Sequence, residues 1–170
     1  MRRIMVIGSS GAGKSTLARR LGERLGIEVV HLDALFWKPG WVETPRPEWA
    51  DLQRELVTRP AWIIDGGYGG TLEIRYQAAD TIIFLDMPRL VCVWRAIKRR
   101  IIYHGRTRPD LAPGCPEQLD PGHLKYIWDY PKRRRGEVLA KLAECAASKR
   151  CVHLRSNRDV DRFIGGLAPQ

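Results

Sequence analysis

One short segment near the start of the chain constrains its fold more than any other. The sequence GSSGAGKS, at residues 8–15, directly follows the apolar run Ile4–Ile7 and precedes a stretch with helical spacing. A glycine, four further residues and Gly-Lys-Ser, placed between a strand and a helix, form the phosphate-binding loop pattern. Such a loop points successive backbone N–H groups inward, and the following helix adds the positive end of its dipole. The segment therefore predicts binding of a nucleoside triphosphate, the alternative being a glycine-rich turn that happens to end in Lys-Ser.

The pattern assigns a role to the residues of this loop. Lys14 is expected to reach the β- and γ-phosphates, and the Ser15 hydroxyl is expected to help hold Mg²⁺. The glycines permit positive φ and a close approach of the backbone to a ligand. The predicted nucleotide contacts are Gly8, Ser9, Ser10, Gly11, Ala12, Gly13, Lys14, Ser15 and Thr16. The predicted cofactors are ATP and Mg²⁺.

Length and composition limit the class of protein. A chain of 170 residues with a hydrophobic fraction of 44% is long and apolar enough for one domain with a buried core. No apolar stretch approaches the ~20 residues that span a bilayer, and the first apolar run is too short for a secretory signal. The four cysteines have neither a CxxC pair nor a zinc spacing, which favours reduced thiols. We therefore expect a cytoplasmic protein with no membrane partner.

The net charge of +10 has two competing explanations. Phosphate handling requires arginine and lysine around a site, whereas a broad positive surface would also attract nucleic acid. The basic clusters are dispersed along the chain, and no helix-turn-helix, zinc-finger or RNA-recognition signature is present. We favour the phosphate site and keep nucleic acid as the alternative partner.

Strands alternate with helices along the sequence. Apolar runs predict five strands, at residues 3–7, 27–32, 62–64, 81–85 and 151–154. Helical spacing predicts helices at residues 15–25, 47–58, 90–102, 124–147 (with an interruption at Pro131) and 159–167. Residues 33–47 and the proline-rich segment 106–122 are predicted to be irregular, the second as a long flexible loop. Alternating strands and helices favour a parallel sheet that is covered on both faces.

Two aspartates directly follow predicted strands. Asp65 ends the third strand, where a carboxylate beside a phosphate loop is well placed to order Mg²⁺; the alternative is a cap on the turn into Gly66. That glycine stands where many ATPases that do mechanical work have glutamate, so transfer to an acceptor is favoured over hydrolysis. Asp33 follows the second strand beside Trp37. It favours a hydroxyl acceptor, since an ionised phosphate acceptor needs no base, although it equally suits a turn cap.

The chain resembles the adenylate-kinase-like branch of phosphate-loop kinases in five ordered segments: GSSGAGKST, HLDALFWKPGW, WIIDGGY, ADTIIFLDMPR and VWRAIKRR. Within that branch it is most similar to the bacterial group labelled DNA topology modulation proteins (FlaR-like). The resemblance covers nearly the whole chain. It implies a P-loop NTPase fold of class α/β, with three α/β/α layers and a five-stranded parallel sheet in the order 2-3-1-4-5. It also implies a single domain over residues 1–170, with a small mobile lid inserted at about 103–130.

The resemblance implies further site residues. Arg95 and Arg99 are similar to the arginine pair that contacts the nucleotide phosphates and the transferring group; the alternative is a solvated basic helix face. Arg133 and Arg134 lie where the helix after the lid supplies further arginines. Arg75 is similar to an arginine that grips the acceptor phosphate, although it lies farther from the third strand than in adenylate kinases.

The acceptor end combines a carboxylate with aromatic side chains. In related small-molecule kinases an aspartate near the position of Asp33 contacts the acceptor hydroxyl, which makes Asp33 both a catalytic and a substrate-binding candidate. Trp37 is a further substrate-binding candidate, because a tryptophan stacks on rings; the alternative is core packing.

These observations predict an ATP-dependent kinase that transfers the γ-phosphoryl group to an unidentified small metabolite or nucleotide. Lys14, Arg95, Arg99 and Asp33 are the predicted catalytic residues, since phosphoryl transfer depends mainly on positioning and on positive charge. The expected partners are a nucleoside triphosphate and a small-molecule acceptor, and the expected state is a monomer or weak dimer. The alternative is a nucleotide-dependent DNA-binding or topology-modulating regulator with weak or no kinase activity, which the charge and the group label favour.

Overall fold

The computed structural model describes residues 1–168 and is built around a parallel sheet. The strands are β1 (Arg3–Gly8), β2 (Val29–His31), β3 (Trp37–Lys38), β4 (Val42–Glu43), β5 (Trp62–Asp65), β6 (Thr81–Leu85) and β7 (Arg150–Leu154). Five of them form the sheet in the order β2-β5-β1-β6-β7, and β3 and β4 form a separate antiparallel hairpin. Counted alone, the five sheet strands run 2-3-1-4-5. The predicted α/β fold is confirmed.

Helices cover both faces of the sheet. They are α1 (Lys14–Leu25), α2 (Leu32–Phe36), α3 (Arg46–Leu56), α4 (Leu72–Ala78), α5 (Arg89–Ile102), α6 (Pro121–Arg133), α7 (Arg135–Cys145) and α8 (Asn157–Gly165). The sequence did not predict α2, α4 or the hairpin, because each is too short for a periodic pattern to stand out. The break in the long C-terminal helical region falls at Arg134 rather than at Pro131, which α6 accommodates within its last turn.

The central strands are buried on both faces. Every residue of β5 and β6 is buried, as is all of β1 after Arg3. One apolar cluster joins the sheet to Leu17 and Leu21 of α1, and a second joins its other face to Trp49 of α3. Such continuous apolar strands are typical of a parallel sheet between two helical layers.

The strand register brings the polar ends of three strands to one edge of the sheet. His31 of β2 pairs with Asp65 of β5, which also lies beside Val6 of β1. The phosphate-loop segment therefore leaves β1 next to Asp65, with Asp33 at the start of α2 close by. The chain leaves β1 between β5 and β6, at the topological switch point where α/β sheets bind their ligands.

Residues 103–120 connect α5 to α6 with no regular helix or strand, as their proline content predicts. Isolated bridges join His104 to Glu117 and Thr107 to Pro116. Leu111, Cys115 and Glu117 are buried, so this connection packs against the rest of the structure. Among the described helices, none is both long and apolar enough to cross a membrane.

Candidate active site

The loop of residues 8–15 has the backbone geometry that the sequence pattern predicts. Gly8, Gly11 and Gly13 all have positive φ, at 150°, 76° and 101°. A Cβ atom at Gly11 would collide with the backbone of Cys92, so this position requires glycine. No side chain among the described residues caps the N-terminus of α1 at Gly13. The first amides of α1 are thus free to bind an anion.

Two polar side chains of the loop support this interpretation. The Lys14 ammonium group donates a hydrogen bond to the carbonyl oxygen of Ser9, at 3.0 Å, and so lies across the loop. Burial lowers the pKa of Lys14, and the nearby Asp33 and Asp65 carboxylates partly oppose that shift. The Ser9 hydroxyl is buried and has no hydrogen-bond partner within residues 1–168. A partly buried cation and an unsatisfied buried donor fit a polyphosphate ligand.

A cavity of about 430 Å³ lies over the loop. The predicted Arg95 and Arg99 of α5 both line it. Arg95 donates hydrogen bonds to the carbonyl oxygen of Ala12 at 2.8 Å and to the side chain of Asn157 at 2.7 Å. It therefore braces the loop against the first residue of α8.

Glu117 pairs with two arginines that line this cavity. Arg99 and Arg108 each place Nε 2.9 Å from one of its carboxylate oxygens. Burial and the neighbouring Arg108 charge lower the pKa of Arg99, whereas Glu117 raises it. The sequence analysis missed Arg108 as a site residue, because residues 103–120 have no periodic pattern and only their folding brings it to the loop.

Three carboxylates face the same cavity: Asp33, Asp65 and Asp110. Asp65 accepts a hydrogen bond from His31 Nδ1 at 2.7 Å, and this bond raises the pKa of His31 although burial lowers it. Burial raises the pKa of Asp110, but the Arg108 charge and a hydrogen bond from the Ser15 hydroxyl together lower it by more. The net shift of this pKa is therefore downward. Asp110 was not predicted from the sequence.

The donors around the loop fit Mg²⁺ better than a softer metal. They are carboxylate and hydroxyl oxygens, which Mg²⁺ prefers. Within residues 1–168, no group of three or more histidine, cysteine, aspartate or glutamate side chains could by itself hold a metal ion. One or two protein oxygens, with phosphate oxygens completing the shell, is the usual arrangement for Mg²⁺ beside a nucleotide. Ser15 and Asp65 both line the cavity over the loop, and their role as ligands of Mg²⁺ stays a prediction.

A second cavity, of about 470 Å³, adjoins the first. Aromatic side chains form much of its wall: Trp37 and Trp41 of the hairpin, Tyr68, and Tyr126 of α6. Asp33 lies at the boundary, where its Oδ1 atom accepts a hydrogen bond from the Tyr68 hydroxyl at 2.6 Å. Trp37 thus lines a cavity, and its contact with a substrate stays a prediction. Tyr68 was missed, although its position between two pairs of glycines could have signalled it.

Arg75, the arginine predicted to contact an acceptor, binds backbone carbonyl groups in the structure. Its side chain is fully buried and donates hydrogen bonds to the carbonyl oxygens of Gly66 and Gly67, at 2.8 and 2.5 Å. Its guanidinium group therefore supports the loop after β5, because α4 directs the side chain inward. The predicted contact of Arg75 with an acceptor stays a prediction.

Arg133 and Arg134, the two arginines predicted for the lid, do not line the cavity over the phosphate loop. Arg133 is exposed and pairs with Asp129 at 3.7 Å, and Arg134 pairs with Glu137 at 3.1 Å. Arg133 is the last residue of α6 and Arg134 follows it, and both side chains are more than half exposed. Their contact with phosphate stays a prediction, whereas Arg108 does line the cavity.

Replacing Arg75 by alanine is expected to destabilise the fold by ~2–4 kcal/mol, because buried carbonyl oxygens lose their donor and a cavity remains. Chemical denaturation measures this loss, and Arg54→Ala on the exposed face of α3 is the matched control. A normal unfolding curve with a raised KM for the acceptor would instead support the predicted acceptor contact of Arg75.

A histidine of α6 contacts the phosphate loop. His123 Nε2 lies 2.9 Å from the hydroxyl of Ser10. Burial, followed by the Arg99 charge, lowers the pKa of His123 below its ordinary value of 6.5. A histidine whose folded pKa is lowered stabilises the fold above its unfolded pKa, and this contribution is lost as pH falls through that value.

Acidification from about pH 8 to about pH 5 is therefore expected to lower the Tm of the natural protein more than that of His123→Gln. Thermal unfolding at a series of pH values measures the difference. His104→Gln, at an exposed position, is the matched control. Identical pH profiles for the natural protein and His123→Gln would contradict the prediction.

Comparisons with known proteins agree with this geometry. The family model for the AAA domain matches residues 4–90, which is just over half of the chain. An adenylate kinase from Gloeobacter violaceus is 26% identical over 156 residues, covering 70% of this chain and 71% of that protein. Among solved structures, shikimate kinase from Acinetobacter baumannii in complex with shikimate matches 95% of this chain and 88% of its own, with a TM-score of 0.57 and 18% identity. A sugar kinase from Janibacter sp., in an unliganded structure, matches 97% and 93%, with a TM-score of 0.51 and 16% identity.

The fold and the loop define an α/β protein with the architecture of the P-loop kinases. The chain belongs to the AAA domain family.

Proposed function

We propose that this chain is an ATP-dependent phosphotransferase that transfers the γ-phosphoryl group to a hydroxyl group of a small molecule. One observation carries the proposal: the two cavities share Lys14, Asp33, Arg99 and Arg108 in their walls. A phosphate chain on the loop and an acceptor in the aromatic cavity would therefore meet between cations and a carboxylate. That juxtaposition is what in-line phosphoryl transfer requires.

In the proposed mechanism, each residue acts through position and charge. When bound, MgATP supplies the phosphoryl group, with Ser15 and Asp65 as the protein ligands of the metal. Lys14, Arg99 and Arg108 place positive charge around the transferring group, where charge spreads over its oxygens. Asp33 orients the acceptor hydroxyl and receives its proton. We propose residues 103–130 as the lid that excludes water from the site.

The absence of a second carboxylate after β5 favours transfer over hydrolysis. Gly66 follows Asp65 directly, so the end of β5 offers no adjacent second carboxylate to position an attacking water. The names of the relatives support the same class, since each is a kinase. We also propose membership of the topology modulation group, on the ordered sequence segments. Arginines around the cavities account for part of the +10 charge without a nucleic acid.

A transfer assay tests the proposal. Purified protein is incubated with Mg²⁺, ATP labelled at the γ-phosphate and a panel of nucleosides, sugars and other small alcohols. We expect a phosphorylated product that requires both Mg²⁺ and one class of acceptor. Release of inorganic phosphate at the same rate with and without every acceptor would contradict the proposal, as would failure to bind ATP by calorimetry.

A further inference from the structure

The aromatic cavity indicates the chemical class of the acceptor. We infer that the acceptor is an alcohol that carries a flat ring and no phosphate or carboxylate group. This inference rests on the proposed function and specifies its substrate.

The charges in the cavity wall are already committed to protein partners. Arg99 and Arg108 both pair with Glu117, whose side chain is 2% exposed. Lys14 belongs to the phosphate loop and donates to its own backbone. The lowered pKa of His123 keeps that side chain neutral near pH 7. Arg108 also lies 3.5 Å from Asp110, so two carboxylates balance the two guanidinium charges that face the transferring phosphoryl group. An anionic acceptor would add a charge that no further cation in the described cavity wall neutralises, and burying an unpaired charge is strongly unfavourable.

The buried Arg75 strengthens this argument. It is the arginine that the resemblance to adenylate kinases assigned to an acceptor phosphate, yet its donors bind the carbonyl oxygens of Gly66 and Gly67. In the described structure, this arginine supports the wall of the cavity without presenting its charge inside it. The cavity therefore lacks the arginine that would recognise the phosphate of a nucleoside monophosphate.

The carboxylates of the cavity differ in whether their oxygens already have hydrogen-bond or ion-pair partners in the protein. Glu117 is engaged by two arginines, and Asp120 accepts the backbone N–H of His123 to cap α6, at 2.9 Å. Asp33 uses one oxygen for the Tyr68 hydroxyl, and its other oxygen has no hydrogen-bond partner within residues 1–168. That oxygen remains available to accept a hydrogen bond from an alcohol.

The aromatic wall is held in a strained conformation. Trp41 and Tyr68 are the non-glycine residues with positive φ in the described chain, at 64° and 48°. Bulky residues rarely adopt this region, and strained positions concentrate at ligand sites. Both side chains line the same cavity, and Trp37 packs edge-on against Trp41 with ring centroids 5.2 Å apart. Flat aromatic faces favour a ring in the ligand.

The hairpin and the lid close over this cavity. The Trp41 indole donates to the carbonyl oxygen of Pro116 at 3.1 Å, and the Gly40 amide donates to the carbonyl oxygen of Gly114 at 3.0 Å. The Cys115 thiol donates to the carbonyl oxygen of Lys38, at 3.3 Å. A partly covered cavity of about 470 Å³ is the size of a small-molecule site.

Matched pairs of ligands test the inference. The common nucleosides and pyridoxine are each compared with their 5′-monophosphate, by thermal shift in the presence of Mg²⁺ and a non-hydrolysable ATP analogue. Shikimate is included as a carboxylate-bearing alcohol. We expect at least one ring-bearing neutral alcohol to bind ~10-fold or more tightly than its phosphate, because of the uncompensated charge. The same alcohol should accept the phosphoryl group from ATP.

Two variants test which residues cause the preference for a neutral alcohol over its phosphate. Trp37→Ala should weaken binding of that alcohol by ~10-fold, because a stacking face is lost, and leave binding of the ATP analogue unchanged. Trp94→Ala, on the exposed face of α5, is the matched control. Glu117→Gln should shift the preference toward the monophosphates, since Arg99 and Arg108 lose their counter-charge. If Glu117→Gln does not fold, the ligand pairs and Trp37→Ala still decide the question.

Equal or tighter binding of the monophosphates would overturn the inference and leave the proposed function standing. Binding of the ATP analogue with no response to any ring-bearing alcohol would overturn it as well. Absence of ATP-analogue binding would instead refute the proposed function, and the inference would fall with it.

Discussion

The Lys14→Ala protein is expected to fold normally and to lose phosphoryl transfer by ~10²- to 10³-fold, the usual cost of removing one donor to a developing negative charge. Lys14 is the partly buried cation of the loop, and its only described hydrogen bond is to the carbonyl oxygen of Ser9. Its removal therefore leaves one local acceptor unpaired and removes a partly buried charge. Affinity for the triphosphate should fall too, because a charge-assisted contact to phosphate is lost.

Initial rates with labelled ATP and calorimetric titration of ATP measure the two effects of Lys14→Ala. Lys98→Ala is the matched control, since Lys98 lies on the exposed face of α5. If Lys14→Ala retained both ATP affinity and transfer at the level of the control, the loop would not be a phosphate site.

Asp33→Asn is expected to reduce transfer by ~10²- to 10⁴-fold, the range of a positioned general base, while affinity for ATP stays within about twofold. Asparagine preserves the shape of the side chain and can still accept the hydrogen bond of the Tyr68 hydroxyl. It cannot receive the proton of an acceptor alcohol. The loss should therefore appear in kcat, with the Tm close to that of the natural protein.

Tyr68→Phe separates proton acceptance from positioning at Asp33. Phenylalanine removes the 2.6 Å hydrogen bond but leaves the carboxylate, so we expect an intermediate loss of transfer, about tenfold. Asp51→Asn, at an exposed position of α3, is the matched control for the charge change. Undiminished turnover by Asp33→Asn would make Asp33 a structural cap at the start of α2.

Much of the fold could be predicted because its signals are local. Apolar runs specified the five sheet strands within a few residues, and the glycine pattern after β1 specified a loop whose backbone has positive φ where expected. The short α2, α4 and the hairpin escaped prediction, since a few residues give no periodicity. The irregular structure of residues 103–120 was predicted, but its packing was not, because the buried residues there, including Glu117, follow no repeating pattern.

Part of the candidate site could likewise be predicted from the sequence, and the rest depends on how the chain packs. Residues 8–15 determined by themselves where a polyphosphate would bind, because consecutive backbone amides and a helix N-terminus form within one continuous segment. Whether a given arginine reaches that place depends on contacts between segments far apart in sequence. Such contacts direct Arg75 inward onto carbonyl oxygens and leave Arg133 and Arg134 exposed. They also place Arg108 beside the loop, where it pairs with Glu117. Side-chain direction and charge pairing are properties of the packed chain, and only the tertiary structure could decide them.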